Sequence, residues 1–346
     1  MVKRYENEKN IEESLFIFGK IPNHYSFYKN IINCHTGFKI IFQTNIKTFL
    51  LVNNQKDPST QYSVRRNLFV YPVVKMGQAK AIFDEPFEVY DILKVLFYRK
   101  KENIYLSIHN FNKWFFPESN RGKSFNLIDK FKEYLRKQIV KKYQNFICVS
   151  SNVYQFCLDN IPQKNFRLIN FASDKVSVID NKNTGHYNKI KVVIPGSISR
   201  ARNYDNIIKV IKGIGITEKA YEFIFLGAPL GDYGLEIIGK LNALNFQNIK
   251  IRTFDSFIPT ELFNKTLIDC DLIYSDFNIE FKSKEGYIEI YGKTKETGVA
   301  PLAYTFNKPL LVPESYIVPK EQLINSLFFN SYQDAIEIIK NFQVAK

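Results

Sequence analysis

The chain has 346 residues, of which 45% are hydrophobic, and a formal net charge of +14. A domain usually has roughly 100 to 200 residues, so this length predicts two domains. Because no apolar run approaches the ~18 residues that a membrane-spanning helix needs, and the charged N-terminus has no apolar segment of secretory length, we expect a cytoplasmic protein.

Short apolar runs alternate with helical patterns along the chain, which predicts parallel sheets with crossover helices. In the first half we expect strands at Leu15–Phe18, Lys39–Gln43, Leu68–Val74, Ile104–Ile108, Asn145–Val149 and Phe166–Asn170. Helices are expected at Ser26–Asn33, Glu88–Phe97, along the basic segment Arg121–Lys142, and from a Ser150 cap to about Leu158. The polar stretch Ser173–Asn188 is the best candidate for a linker.

The same alternation restarts after the linker. Strands are expected at Lys189–Ile194, Glu222–Leu226, Asn248–Arg252, Leu272–Tyr274 and Leu310–Val312, and helices at Asp205–Gly213, Leu235–Leu244, Pro259–Ile268, after the 289–298 loop, and at Gln333–Phe342. The sequence therefore predicts an α/β protein with two doubly wound domains in tandem. Their predicted bounds are 1–185 and 186–330, and a closing helix within 331–346 is expected to pack back towards the N-terminal domain.

The positive charge is concentrated in the first half. Residues 1–188 hold 29 Lys and Arg against 16 Asp and Glu, whereas residues 189–346 hold 19 against 18. Arg121–Lys142 alone carries eight basic residues, and Phe131, Leu135, Ile139 and Tyr143 recur there every four positions. This pattern predicts a basic amphipathic helix. Its charged face is either a solvated surface over a core or a contact to an anionic membrane.

A polar loop near the C-terminus has the residues of a phosphate site. Lys293, Thr294, Lys295 and Glu296 follow Gly292 and precede a predicted helix, so backbone N–H groups and ammonium groups converge where an anion could bind. The loop is also expected at the carboxyl end of a strand, where α/β sheets bind ligands.

A second glycine turn follows the predicted strand at Lys189–Ile194. Gly196 would let a ligand approach the backbone, and the guanidinium of Arg200 or Arg202 could donate two hydrogen bonds at once to phosphate oxygens. The alternative is an ordinary turn with surface arginines. No G-x-G-x-x-G fingerprint occurs in the chain.

In the first half, the strand at Ile104–Ile108 ends on His109 and Asn110. His109 could orient or deprotonate an acceptor hydroxyl, with help from Asn110, or it could be a satisfied structural histidine. Trp114 could stack on an acceptor, although a core position explains it as well. His24 is a weaker candidate for an acceptor contact. Cysteines and histidines show no ligand spacing, so no metal is expected.

Several of these segments together resemble GT-B glycosyltransferases, and more narrowly bacterial enzymes near glycosyltransferase family 4. The segments are the Pro195–Ile198 turn with its downstream arginines, the strand end at Phe223–Gly227, the Phe254–Pro259 loop, and Glu289–Gly292 with the helix and Lys-Pro-Leu-Leu that follow. Their order and spacing match over about Lys189 to Pro313, and the N-terminal half fits more loosely.

The resemblance implies two Rossmann-like domains with a cleft between them and a nucleotide sugar bound by the second domain without a metal. It implies that Arg200 or Arg202 and Lys293, with Thr294 beside it, contact the diphosphate. It also implies that the Phe254–Ile258 loop, with Phe257 and Ile258 as donor contacts, forms the wall for the base. Glu289 would contact the ribose or donor sugar. Such enzymes have a second glutamate eight positions after the first. In this chain that position is Thr297 and the preceding residue is Glu296, so either residue could take the place of the second glutamate.

The function expected from this resemblance is metal-independent, retaining transfer of a sugar from a nucleotide-diphosphate sugar to a glycan or lipid-linked acceptor. We expect a role in cell-surface polysaccharide or glycoconjugate synthesis, with peripheral membrane attachment through Arg121–Lys142. One alternative is a sugar-nucleotide 2-epimerase, although the predicted second domain, 186–330, has only His186 as a histidine. Another is a basic, non-catalytic protein that binds nucleic acid or membrane; nucleic acid is not expected, because no reader motif occurs.

Overall fold

The computed structural model describes residues 14–18, 39–44, 60–64, 80–86, 88–97, 104–119, 126–169, 189–215, 218–256, 258–283 and 285–343. The chain divides into two units. Unit 1 comprises Met1–Ser173, Lys282–Glu289 and Thr294–Glu296; unit 2 comprises Asp174–Phe281, Ile290–Lys293 and Thr297–Lys346. The predicted strand at 68–74, the predicted helix at 26–33 and the predicted linker at 173–188 lie outside the described residues.

Unit 1 contains a seven-stranded parallel sheet. Its strands are β1 (Ser14–Phe18), β2 (Lys39–Thr44), β3 (Thr60–Val64), β4 (Lys80–Asp84), β5 (Ile104–Ser107), β6 (Asn145–Cys148) and β7 (Asn165–Leu168), and its described helices are α1 (Val89–Phe97), α2 (Phe111–Phe115), α3 (Leu127–Lys142) and α4 (Ser151–Asn160). The strand order is β3-β2-β1-β4-β5-β6-β7. The direction of winding therefore reverses between β1 and β4, and ligands of such sheets bind beyond the carboxyl ends of the strands at that point.

Unit 2 contains a six-stranded parallel sheet with the order β10-β9-β8-β11-β14-β15. These strands are β8 (Lys189–Pro195), β9 (Ala220–Leu226), β10 (Ile249–Arg252), β11 (Leu272–Tyr274), β14 (Leu310–Pro313) and β15 (Ser326–Phe329). The helices are α5 (Tyr204–Ile214), α6 (Gly231–Asn242), α7 (Thr260–Ile268), α8 (Val299–Thr305), α9 (Tyr332–Asn341) and a 3-10 helix (Lys320–Asn325). Numbered along the chain, the order is that of the Rossmann fold, and winding reverses between β8 and β11. Strands β12 (Glu280–Lys282) and β13 (Ile288–Ile290) form a separate two-stranded sheet.

Both faces of the unit 2 sheet are buried, because successive side chains of a strand point to opposite faces. Val192 and Ile194 of β8 pack into one apolar cluster with α5 and α9, whereas Val193 packs into the other cluster. This arrangement explains why the second half of β8, residues 192–195, is continuously apolar.

The closing helix α9 packs within unit 2. Ala335, Ile336 and Ile339 belong to the cluster that also contains α5, and a Cβ at Gly213 of α5 would lie 2.3 Å from Cδ1 of Ile336. Glycine at 213 therefore allows the two helices to lie close together. The apolar face of this helix is buried against α5, and the expectation that the helix packs back towards the N-terminal domain stays a prediction.

Candidate functional site

The reversal point of unit 2 holds a guanidinium group. Gly196 follows β8 with φ of +105°, a conformation that glycine adopts readily and other residues rarely. A Cβ at this position would lie 2.6 Å from Nη2 of Arg202, so glycine leaves the space in which the guanidinium lies. Nη1 of Arg202 donates to Oγ of Ser275, which follows β11. Arg202 thus joins the carboxyl ends of the two strands at which winding reverses.

The surroundings of Arg202 favour an anion as its partner. Its side chain is half-buried, and burial lowers its pKa, although Tyr204 and Tyr291 act in the opposite direction. Arg202 forms no ion pair with any carboxylate in the described part of the chain. A cation that has lost water without gaining a carboxylate is stabilised by an anionic ligand, and a guanidinium can bind two phosphate oxygens at once.

The structure separates Arg202 from the other predicted arginine. Arg200 is exposed, and its guanidinium carbon lies 4.6 Å from the ring centroid of Tyr233 on α6. A cation over an aromatic ring is already favourably placed. Of the two arginines that the sequence offered, Arg202 is the one at the reversal point.

The loop after Gly292 differs from the predicted phosphate cradle. The helix that follows it, α8, begins only at Val299 and has seven residues, and Oγ1 of Thr297 already accepts the N–H of Val299. Lys293 is exposed, with its backbone N–H donated to the carbonyl oxygen of Ile290. The helix therefore begins later than predicted, and two of the backbone N–H groups in this region, those of Lys293 and Val299, are already bonded; Lys293 stays a candidate through its charge.

The predicted wall for the base is described only in part. Ile258 is buried in the apolar cluster that contains Val193, and Phe257 lies outside the described residues, as does His24.

Unit 1 has polar side chains at the carboxyl ends of two neighbouring strands. Asp84 of β4 pairs in register with Ser107 of β5, and His109 follows two residues later. Nε2 of His109 lies 2.9 Å from Oδ1 of Asp84 and 3.2 Å from Oγ of Ser107. Because a carboxylate only accepts hydrogen bonds, Asp84 favours the tautomer with the proton on Nε2, in which Nδ1 is the basic nitrogen.

Glu85, which the sequence did not indicate as a site residue, accepts hydrogen bonds from three residues that it did indicate. Its carboxylate accepts the backbone N–H of His109 at 2.8 Å, Nδ2 of Asn110 at 3.0 Å and Nε1 of Trp114 at 3.0 Å. Trp114 is 1% exposed and belongs to the unit 1 core. Because neither face of its ring is exposed, Trp114 cannot stack on an acceptor, and that prediction was wrong. The alternative prediction, a core position, is confirmed.

The charge on Glu85 is stabilised by its neighbours. Glu85 is 2% exposed, and burial alone would raise its pKa. The pKa is nevertheless lowered, because Lys113, His109, the hydrogen bond from Asn110 and then Lys295 outweigh the effect of burial. A buried, ionised carboxylate is stable only with such partners.

Two segments from later in the chain, which carry Glu289 and Lys295, complete the cluster of polar side chains around His109. Nζ of Lys295 donates to Oδ1 of Asn110 at 2.6 Å. Glu289 is 0% exposed; its Oε2 accepts the N–H of Asn112 at 3.1 Å and its Oε1 accepts that of Lys113 at 2.9 Å. Burial raises the pKa of Glu289 to about 7, against the opposing effects of these N–H groups, Thr294 and Lys295. Glu289 is therefore a buried carboxylate and not an exposed loop residue.

The two residues that compete for the second acidic position fall in different units, with Glu296 in unit 1 and Thr297 in unit 2. Thr294, expected beside the donor phosphates, is also part of unit 1, where its carbonyl oxygen accepts the N–H of Phe111.

Part of the basic face of α3 is used inside unit 1. Arg136 is fully buried, with Nη2 3.0 Å from the hydroxyl of Tyr287 and Nη1 3.3 Å from Oε2 of Glu285. Lys113 also pairs with Glu285, at 3.0 Å. These charges are internal contacts rather than a surface for a partner.

The buried stripe of α3 is shorter than predicted. Leu135, Ile139 and Tyr143 are buried, but Phe131 is 47% exposed. Four residues turn a helix by about 400°, so a strict four-residue repeat drifts by roughly 40° per step, and Phe131 leaves the buried face. With Leu127, Ile128 and Tyr134 it forms an exposed apolar face on the first half of α3, which we call the α3 apolar face.

Among the described residues, no group of His, Cys, Asp and Glu side chains has the arrangement of a metal site, and no helix has the length and apolarity to cross a membrane.

No protein-family model and no curated protein matches the chain. Solved structures do match it. A glycosyltransferase from Rickettsia africae aligns over 95% of this chain and 87% of its own, at 12% identity and a TM-score of 0.59. Sucrose-phosphate synthase from Thermosynechococcus elongatus aligns over 95% and 89%, at 10% identity and a TM-score of 0.58. A trehalose-6-phosphate protein from E. coli, bound with UDP-2-fluoro glucose, aligns over 96% and 92%, at 8% identity and a TM-score of 0.56.

These likenesses show the fold. The chain has the GT-B fold of glycosyltransferases, with two Rossmann-like units, and the predicted fold class is confirmed. The narrower resemblance to family 4 stays a prediction.

Proposed function

We propose that the chain is a glycosyltransferase that moves a sugar from a nucleotide-diphosphate donor to a glycan or lipid-linked acceptor, in cell-surface polysaccharide or glycoconjugate synthesis. The observation that carries this proposal is the half-buried Arg202, which lies against Gly196 at the reversal point of a Rossmann sheet and has no carboxylate partner among the described residues. The fold supports it, because one protein of the same fold is bound with a UDP sugar.

The chemistry assigned to this site is electrostatic. Transfer breaks the bond between the anomeric carbon and the diphosphate oxygen, and the electron pair stays on the diphosphate. Arg202 and Lys293 would oppose the growing negative charge more strongly in the transition state than before it. We assign this role to side chains and not to a metal ion.

The acceptor hydroxyl oxygen forms the new bond to the anomeric carbon and loses its proton. We assign orientation or deprotonation of this hydroxyl to His109, because Asp84 favours the tautomer in which Nδ1 is basic. The resemblance to retaining enzymes makes retention of the anomeric configuration the expected outcome.

The proposal is tested by a ligand screen followed by product analysis. Thermal unfolding is measured with UDP, GDP, CMP and common nucleotide sugars, since a ligand bound by the folded state raises its stability. The stabilising nucleotide sugar is then incubated with oligosaccharide and lipid-linked acceptors, with and without EDTA. We expect a glycosylated acceptor and no loss with EDTA. Release of an epimerised sugar without an acceptor would instead show the 2-epimerase, and no stabilisation by any nucleotide would contradict both.

We further propose that unit 1 binds acidic membranes through the α3 apolar face. Leu127, Ile128, Phe131 and Tyr134 are exposed, and Lys130 beside them is exposed as well. Apolar side chains next to lysine suit the interface of an acidic leaflet, where each basic residue contributes about 1 kcal/mol. Arg121 and Lys123, which precede this helix, lie outside the described residues.

Liposome flotation tests the membrane proposal. We expect the protein to float with vesicles that contain acidic lipid, less so with rising salt, and to lose flotation when Leu127 and Phe131 are both changed to serine. The matched control is Leu158→Ser, which replaces an exposed leucine on α4, away from the α3 apolar face. Stronger salt-dependent binding to RNA than to the vesicles would contradict the proposal.

A further inference from the structure

The start of helix α2 is capped by residues from far along the chain. The N–H of Phe111 is donated to the carbonyl oxygen of Thr294, and the N–H groups of Asn112 and Lys113 are donated to the two carboxylate oxygens of Glu289. The first N–H groups of a helix have no partner within the helix, and the preceding residue usually supplies one. Asn110 precedes α2 but makes no side-chain cap. Glu289 takes over this role.

Asn110 does not cap α2 because its side chain is used elsewhere. Its Nδ2 donates to Glu85, and its Oδ1 accepts from Lys295. His109 and Asn110 are therefore held directly by Glu85 and, through α2, by Glu289. A displacement of α2 would carry both residues with it.

Glu289 is itself held in place by the residues that precede it. The hydroxyl of Tyr287 accepts from Arg136 and donates to Glu133 at 2.9 Å, and Glu285 pairs with Lys113 and Arg136. These contacts fix the segment 285–289 on α3, and with it the position of the carboxylate.

We propose that Glu289 is a positioning residue that fixes α2, and through it His109 and Asn110, and that it does not bind the donor. Both of its carboxylate oxygens accept backbone N–H groups, and the side chain is fully buried. The assignment rests on the proposed transfer reaction, in which His109 serves the acceptor hydroxyl. It differs from the expectation that Glu289 contacts the ribose or donor sugar.

The test compares Glu289→Gln with the matched control Glu280→Gln, an exposed carboxylate on β12. Glutamine keeps the length and one acceptor but places an N–H₂ group opposite a backbone N–H. We expect kcat for transfer to fall roughly 10- to 100-fold, as for a small displacement of a catalytic group, with donor KM and nucleotide Kd unchanged. The double variant Glu289→Gln, His109→Ala should be no slower than His109→Ala alone, because the effect acts through His109.

Three results would overturn the inference. A nucleotide Kd raised roughly 10-fold or more with kcat unchanged would make Glu289 a donor ligand. Independent, multiplied losses in the double variant would show that Glu289 does not act through His109. Amide hydrogen exchange gives a readout that needs no activity: peptides covering 109–116 should exchange faster in Glu289→Gln and not in Glu280→Gln, and unchanged exchange overturns the proposal. If the wild type neither binds nucleotides nor transfers sugar, the proposed function fails while this exchange result still decides the role of Glu289.

Discussion

Replacing Glu85 by glutamine tests the cluster around His109 most severely. The carboxylate accepts three different donor groups, from His109, Asn110 and Trp114, with distances of 2.8 to 3.0 Å. In the variant an N–H₂ group replaces one oxygen and faces a donor, which leaves a buried group unsatisfied at a cost of about 1–3 kcal/mol. Lys113 and Lys295 also lose their nearby charge. Because removing one partner of a buried ion cluster costs about 3–5 kcal/mol, we expect a total loss of about that size.

The assay can be specific to unit 1, because Trp114 is the single tryptophan of the chain and its indole N–H is donated to Glu85. Urea unfolding followed by tryptophan fluorescence therefore reports this unit. Glu88→Gln is the matched control, since Glu88 is an exposed carboxylate three positions away.

The pH dependence follows from the lowered pKa of Glu85. An acid with a lower pKa in the folded state stabilises that state above its ordinary pKa, here 4.5, and the contribution is lost as the pH falls through the folded value. The difference between wild type and Glu85→Gln should therefore be largest near neutral pH and shrink below about pH 4.5. Equal stability of the two proteins at pH 7, within about 1 kcal/mol, would refute this account of the cluster.

Three further changes have expected outcomes. Gly196→Ala should weaken nucleotide binding in titration calorimetry, because its Cβ would displace Arg202 and φ is +105°; unchanged affinity would contradict this. Tyr287→Phe should lower the fluorescence-detected stability of unit 1 by about 1–3 kcal/mol, because buried Arg136 loses its hydroxyl partner; a neutral effect would contradict this. Asp276→Asn should stabilise unit 2 by about 3 kcal/mol at pH 8, because burial raises the pKa of Asp276 to about 6 and ionisation above that pH is unfavourable. Calorimetry should show this gain disappearing towards pH 4, and a gain independent of pH would contradict it.

The pattern of apolar runs predicted most of the described elements in unit 2. Strand β11 was predicted with its observed bounds, Leu272–Tyr274, because a short apolar run between polar residues has few alternatives. Ser275 follows it directly, but its importance depends on β11 lying beside β8. Strand order is a non-local property that a single sequence does not display.

The unit 1 cluster was harder to predict for the same reason. Strand β4 has only three apolar residues, Ala81–Phe83, a run too short to predict a strand or to draw attention to the two acidic residues at its end. His109 and Asn110 were found because β5 is a clear apolar strand. Glu289 was found through the resemblance, but its contact to α2 joins residues 176 and 177 positions apart, and no local pattern encodes it.

The central claim is that Arg202 binds a nucleoside diphosphate. Titration calorimetry of UDP and GDP into the wild type, Arg202→Gln and the control Arg167→Gln, an exposed arginine over the ring of Tyr105, tests it directly. Loss of a charge-assisted contact of about 2–3 kcal/mol predicts roughly 30- to 150-fold weaker binding for Arg202→Gln alone. Equal affinity of all three proteins, or no binding by the wild type, would contradict the claim.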